Sequence, residues 1–259
     1  MGILVLVSPD CIHSWFWIYS NYMKKKNIIG VIGGMGPYAS AFFYKLLIKK
    51  STEEYGAKNN DDYPEIVIDS VPVPDFISDI DHLTAAKEIL ISRVKALNNF
   101  GCNIIAMACN TGHLLYSDLA KNSEVPFVSL IEIVCQKAKN SGMKRVGLMA
   151  TETTIKMQLY HKILEEEGIK VITPDKALIK KQEDVIRFVI ANGETKKFDG
   201  VLSDMANKFV KDNDLDGVIL GCTELPLVFP SYKFRNVIDS LDVLADHLLK
   251  NFYGSRETS

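Results

Sequence analysis

Two cysteines stand where a buried strand should reach the surface. Cys109 ends the apolar run of "IIAMACNTGH" (104–113) and is followed by Asn110 and Thr111; Cys222 ends "GVILGCTELP" (217–226) and is followed by Thr223. A thiolate is a competent base. At a helix N-terminus, where backbone N–H groups favour an anion, its pKa can fall below the free value of about 8.5. Asn110, Thr111 and Thr223 add donors able to hold a carboxylate, and Thr151 and Thr154 of "ATETT" add two more. A small amino acid suits such a lining. With a thiol on each face of one carbon, one thiolate removes the Cα proton, the opposite thiol delivers another, and the stereocentre inverts. The demanding step is the weak acidity of a Cα–H beside a carboxylate, so aimed donors must stabilise the enolate-like charge that develops.

The elements that would position these residues alternate along the chain. From Asn27 onward, short β-rich runs ("IIGVIG", "EIVIDSV", "CNIIAMA", "PFVSLI", "RVGLMA", "KVITP", "GVILG", "NVID") are separated by helix-like segments such as "TAAKEILISRVKALNNF" and "TIKMQLYHKILEEEG", the second stopping at Gly168. That alternation predicts parallel sheets, and near-continuous Val, Ile and Leu predicts helices on both sheet faces. The halves also resemble each other: Cys109 lies 79 residues after Gly30 (109 − 30), and Cys222 lies 75 after Gly147 (222 − 147). Ligands of open parallel sheets bind beyond the carboxyl ends of the strands. Two similar halves would therefore set both cysteines around a shared cleft.

Bulk properties set limits. A chain of 259 residues accommodates two compact domains, and a formal charge of −2 spread along it excludes the electropositive footprint that nucleic acid requires. Five cysteines without paired metal-ligand spacing point to a reducing compartment, here the cytoplasm, and to no metal site. The apolar start, residues 1–22, is interrupted by Pro9, Asp10 and His13, and Lys24, Lys25 and Lys26 lie on the wrong side of it for a secretory signal. It reads as an N-terminal extension outside the fold, and neither as a membrane span nor as a signal.

Four motifs in order, "GVIGGMGP", "ACNTGH", "GLMATETT" and "GCTELPLV", followed by "VIDSLDVLADHLL", make the chain from about Met23 onward resemble the aspartate/glutamate racemase superfamily, specifically its aspartate-racemase branch. The resemblance implies an α/β fold of two pseudo-symmetric domains, each a short parallel sheet flanked by helices, with the active site in the cleft between them. On this reading residues 23–130 form the first domain, completed by a C-terminal helix within 238–259, and residues 131–237 form the second. It also implies a homodimer, and racemisation of a small-molecule amino acid without pyridoxal phosphate, metal or any other cofactor. Cys109 and Cys222 map to the catalytic pair, Cys222 serving the L enantiomer and Cys109 the D. Met35, Gly36, Asn110, Thr111, Thr151, Thr154 and Thr223 map to substrate-contacting positions.

The chain departs from the aspartate-selective pattern at two places. Phe76 follows the Pro74–Asp75 pair where an arginine is expected, and Ile190 or Ala191 stands where a lysine is expected, with only Arg187 nearby. A side-chain carboxylate buried without a cation is unfavourable by several kcal/mol, so aspartate is a doubtful best substrate. Plainer roles attach to other residues. Cys11, Cys102 and Cys135 are structural, and His82, His161 and His247 are surface or packing residues. His113 reads as a locally hydrogen-bonded helix residue, with a proton relay as the alternative, and Glu224 as a helix N-terminal acid, with a site role as the alternative. Two other functions compete. Gly34-x-Gly36-x-x-Ala39 has the spacing of a dinucleotide loop, which would make this an NAD(P)-dependent oxidoreductase; Asp69, however, lies 33 residues beyond Gly36 (69 − 36) instead of about 20. A two-lobed amino-acid-binding protein without chemistry would need no cysteines.

Overall fold

The computed structural model describes residues 27–76, 82–193, 196–229 and 236–254. The extension read over residues 1–22, with Cys11, lies outside them. The first sheet holds β1 (Ile28–Gly33), β2 (Glu65–Ser70), β3 (Ile104–Met107) and β4 (Phe127–Val128) in the order β2-β1-β3-β4, all parallel. The second repeats the pattern with β5 (Arg145–Ala150), β6 (Lys170–Ile172), β7 (Gly217–Gly221) and β8 (Val237–Asp239) in the order β6-β5-β7-β8. The fold is thus α/β with two equivalent parallel sheets. Strands β1, β3 and β7 are buried along their whole length, as expected of sheets with helices on both faces.

Helices α1 (Pro37–Tyr55), α2 (Leu83–Phe100) and α3 (Tyr116–Lys121) lie in the first half, and α4 (Leu130–Asn140) follows β4 at once. The second half carries α5 (Glu152–Lys156), α6 (His161–Glu166), α7 (Lys176–Asn192) and α8 (Asp199–Asn213), and α9 (Ser240–Gly254) follows β8. The helix expected from Thr154 to Gly168 is broken in two. Gln158 adopts a left-handed φ of 53°, which ends α5 and turns Tyr160 into the interior, where it is fully buried. Gly168, with φ 70°, closes the second piece as the sequence predicts.

Strands β1 and β5 each carry a glycine at the third position for a packing reason. A Cβ on Gly30 would lie 3.0 Å from Cys102 Sγ and 3.3 Å from Leu97, and one on Gly147 would lie 2.6 Å from the Phe209 ring. Side chains from the end of α2 and from α8 therefore press directly on the backbone of β1 and β5. The helices after the last strands are exchanged. Helix α4 packs on α6 and β8 of the second half, and α9 packs on α1 of the first. One core consequently runs through both halves, from Val31, Phe43 and Leu47 through Leu130 and Val134 to Val146, Leu148, Leu244 and Leu248. Among the described residues, no helix is long and apolar enough to cross a membrane.

The seam between α1 and α9 is closed by one lysine. Lys50 Nζ lies 2.9 Å from Glu54, 2.9 Å from Asp242 and 2.6 Å from Asp246, with its side chain 11% exposed. Burial works to lower its pKa, but the three carboxylates outweigh burial and hold it above that of an ordinary lysine. Beside it Tyr55 stacks on Tyr253 at 4.2 Å. Lys50→Ala would leave the acids facing each other. Because they are half exposed and screened, the expected loss is about 2 kcal/mol, read as a melting temperature lower by roughly 4–8 °C in a thermal scan.

Candidate active site

The paired register of the sheets puts the two cysteines at equivalent points. Gly30 pairs with Ile105, and Cys109 lies four residues beyond Ile105; Gly147 pairs with Val218, and Cys222 lies four beyond Val218. Both emerge past the carboxyl end of a central strand, and both are buried.

Around Cys109 the chain turns at once into a 3-10 helix, Thr111–Leu115. Its Gly112 N–H donates to Cys109 Sγ at 3.3 Å. A Cβ at Gly112 would meet Met107 Sδ at 2.9 Å, so the methionine side chain packs directly on this turn. His113 locks the turn. Its Nε2 accepts the Leu130 N–H at 2.9 Å, so Nδ1 carries the proton and donates to the Cys109 carbonyl at 2.7 Å. Burial pushes its pKa down to about 4, and with both nitrogens engaged it ties the Cys109 backbone to the start of α4 instead of relaying protons.

Around Cys222 the partner is a carboxyl group. The thiol donates to Glu224 Oε2 at 3.1 Å, the Thr223 hydroxyl donates to the same oxygen at 3.0 Å, and Gly36 N–H donates to Oε1 at 2.9 Å. Glu224 thus joins the glycine loop of one half to the cysteine of the other. The loop's Gly34 amide is also engaged, its N–H donating to Ser40 Oγ at 2.8 Å. A buried carboxylate therefore occupies the place a dinucleotide phosphate would need, and Asp69 faces Arg93 at 3.9 Å, which argues against the oxidoreductase reading. Gly34 itself is dictated by the approach of β2, because a Cβ would fall 2.4 Å from Val71 N and φ is 90°.

The hydroxyl-bearing positions gather into one cluster. Thr111 Oγ1 lies 3.0 Å from both Thr151 and Thr154, which bond each other at 2.9 Å. The Asn110 amide donates to Ser240 Oγ at 3.0 Å and accepts from the Tyr160 hydroxyl. Ser240 and Tyr160 went unread in the sequence, for nothing in a local pattern marks a residue that meets Asn110 from 130 or 50 positions away.

A cavity of about 180 Å³ opens between the halves. Gly34, Met35, Gly36, Val73, Pro74, Phe76 and Cys109 line it from one side, Ile190 from the other, and Asp75 and Arg187 form an ion pair across it. Both positions singled out as departures, Phe76 and Ile190, therefore share one wall system with Cys109. Cys222, Asn110, Thr111, Thr151, Thr154 and Thr223 are not among the lining residues; Cys222 reaches the cavity edge through Glu224 and Gly36.

The lowered thiol pKa expected from a helix N-terminus is not what the structure gives. Burial, then the Glu224 charge, pushes Cys109 up to about 12 despite N–H bonds from Gly112 and Thr111. Burial and Glu224 raise Cys222 well above the ordinary range, and Cys109 raises it further, so the two sulfurs lie within electrostatic reach of each other. The turns after both cysteines are short 3-10 segments offering few amides, and desolvation wins.

Comparison with known proteins bears on the fold and the family. Over 150 residues the chain is 35% identical to the broad specificity amino-acid racemase RacX of Bacillus subtilis, the match covering 57% of this chain and 65% of RacX. The chain thus spans just under two thirds of that relative's length. The structure of an aspartate racemase homologue from Pyrococcus horikoshii superposes with a TM-score of 0.74 at 32% identity, covering 88% of this chain and 99% of that one. The aspartate racemase of Picrophilus torridus gives 0.73 at 26% identity, covering 88% and 94%. Residues 32–248 match the Asp/Glu/hydantoin racemase family, and this chain belongs to it, on the side of its aspartate-racemase members.

Proposed function

We propose that this protein is a cofactor-independent amino-acid racemase that inverts Cα by proton exchange between Cys109 and Cys222. The observation that carries the reading is the matched register, which sets two thiols at the same step beyond equivalent strands of two equivalent sheets. In one direction the Cys222 thiolate takes the Cα proton, the C–H electron pair remains on the substrate as an enolate-like anion, and the Cys109 S–H delivers its proton to the opposite face. The reverse direction exchanges the roles, Cys222 serving the L enantiomer and Cys109 the D. Burial disfavours the thiolates, and an arriving ammonium group would supply a positive charge beside which a thiolate forms more readily. Gly112 N–H then steadies the Cys109 sulfur as charge grows on it. We assign the contacts to substrate carboxylate and amine to Met35, Gly36, Asn110, Thr111, Thr151, Thr154 and Thr223.

The cavity wall argues for an uncharged side chain. Val73, Phe76 and Ile190 offer no donors, and Arg187 is engaged by Asp75. A substrate carboxylate would lose water there without gaining a cation, which is unfavourable by several kcal/mol. The volume, about 180 Å³, exceeds the roughly 150 Å³ of a cavity known to hold benzene, and suits a side chain of leucine or methionine size.

In deuterated water without added cofactor, the purified protein should exchange the Cα proton of free amino acids, measured by NMR or mass spectrometry. Cys109→Ala and Cys222→Ala should each lower full racemisation by about 10³-fold or more, with Cys222→Ala losing exchange on the L enantiomer first. No exchange across a panel of amino acids would favour the binding protein, and exchange only with nicotinamide the oxidoreductase. On the same panel leucine and methionine should exceed aspartate, and Ile190→Lys should move the aspartate-to-leucine ratio of kcat/KM upward by about tenfold.

A further inference from the structure

Building on the two-thiol reading, we infer that Glu224 is a third proton-carrying group of the site: Cys222 and Glu224 share one proton, and the carboxylate takes it whenever Cys222 must act as the base. The placement is specific. Glu224 is 2% exposed, and its Oε2 lies 3.1 Å from Cys222 Sγ, the atom that would face the substrate. Among the described residues no lysine or arginine pairs with it; its partners are the thiol, the Thr223 hydroxyl and the Gly36 N–H. Clamping the glycine loop needs only Oε1. The second oxygen, aimed at the sulfur, needs another explanation.

Charge conservation supplies that explanation. A second buried negative charge is strongly unfavourable, but a proton passing from Cys222 Sγ to Glu224 Oε2 turns thiol into thiolate while the pair keeps a single charge. The two cysteines differ here: the Cys109 sulfur accepts an N–H and, among the described residues, has no carboxylate bonded to it. The site then cycles between two forms, each bearing one negative charge. In the first, Glu224 is ionised and both thiols are protonated. The Cys222 S–H bond breaks as an O–H forms on Glu224, the thiolate takes the Cα proton, and Cys109 gives its proton to the other face. The second form remains, with Cys109 as thiolate, Cys222 as thiol and Glu224 as acid, ready for the opposite enantiomer. The reverse turnover returns every proton. The other ionisable groups nearby do not compete: Asp75 and Arg187 are engaged with each other, and burial holds the Tyr160 phenol protonated.

The test is Glu224→Gln, which keeps a carbonyl oxygen for Gly36 N–H but cannot take a proton. Wild-type kcat/KM should be flat through neutral pH with an acid limb in the carboxyl range, above that of a free glutamate. The glutamine variant should lose about 10²–10⁴-fold at neutral pH and regain activity with unit slope as pH rises, because its thiolate must form by releasing a proton to water. A variant within threefold of wild type, with an unchanged profile, overturns the inference while leaving two-thiol racemisation standing. Should the variant fail to fold, the wild-type profile decides alone: a steady rise from neutral pH with no acid limb overturns the inference. Absence of Cα exchange in any amino acid would instead defeat the racemase reading itself.

Discussion

A slip of one residue between β1 and β3, or between β5 and β7, would turn each cysteine to the opposite face of its sheet. The register is therefore the constraint on which the site depends. It is held by continuous apolar burial along β1 and β7 and by the glycines at the third positions of β1 and β5, on which Cys102, Leu97 and Phe209 press closely. Chemistry at the strand ends inherits its geometry from packing two turns of sequence earlier.

The second governing influence is desolvation. Cys109, Cys222, Glu224 and His113 are all buried, and in each case burial is the leading cause of the pKa change: the acids shift up, the imidazole down. A site built this way favours neutral thiols and disfavours a second buried negative charge. Charge enters with a partner, whether a proton acceptor at 3.1 Å or an incoming ammonium. The same low-polarity surroundings suppress idle reactivity of the thiols.

Much of this was legible in the residues. All eight strands lie within the runs read from apolar patterning, though the fourth is only Phe127–Val128 because Ser129 caps α4 immediately, accepting the Glu132 N–H. The matched cysteines were visible because equivalent strands end at equivalent offsets. What escaped was long-range or conformational. The break at Gln158 depends on a left-handed residue that the helical pattern around it hides, and Tyr160 meets Asn110 only through tertiary folding. Glu224 was seen as an acid near a turn; that it spans 188 positions to the Gly36 amide is a fact of the assembled fold. The thiol environment was misjudged because sequence advertises the turn after a cysteine more clearly than the depth at which it sits.

The exchanged helices α4 and α9 give the molecule the construction of a clasp. The helix that packs on α1 of the first half is translated after the strands of the second sheet, so a nascent chain emerging from the ribosome exposes the apolar flank of α1 until Leu244 and Leu248 arrive. Neither half is a separable module. Gene fragments encoding the first half alone would leave the α9-facing flank of α1 uncovered.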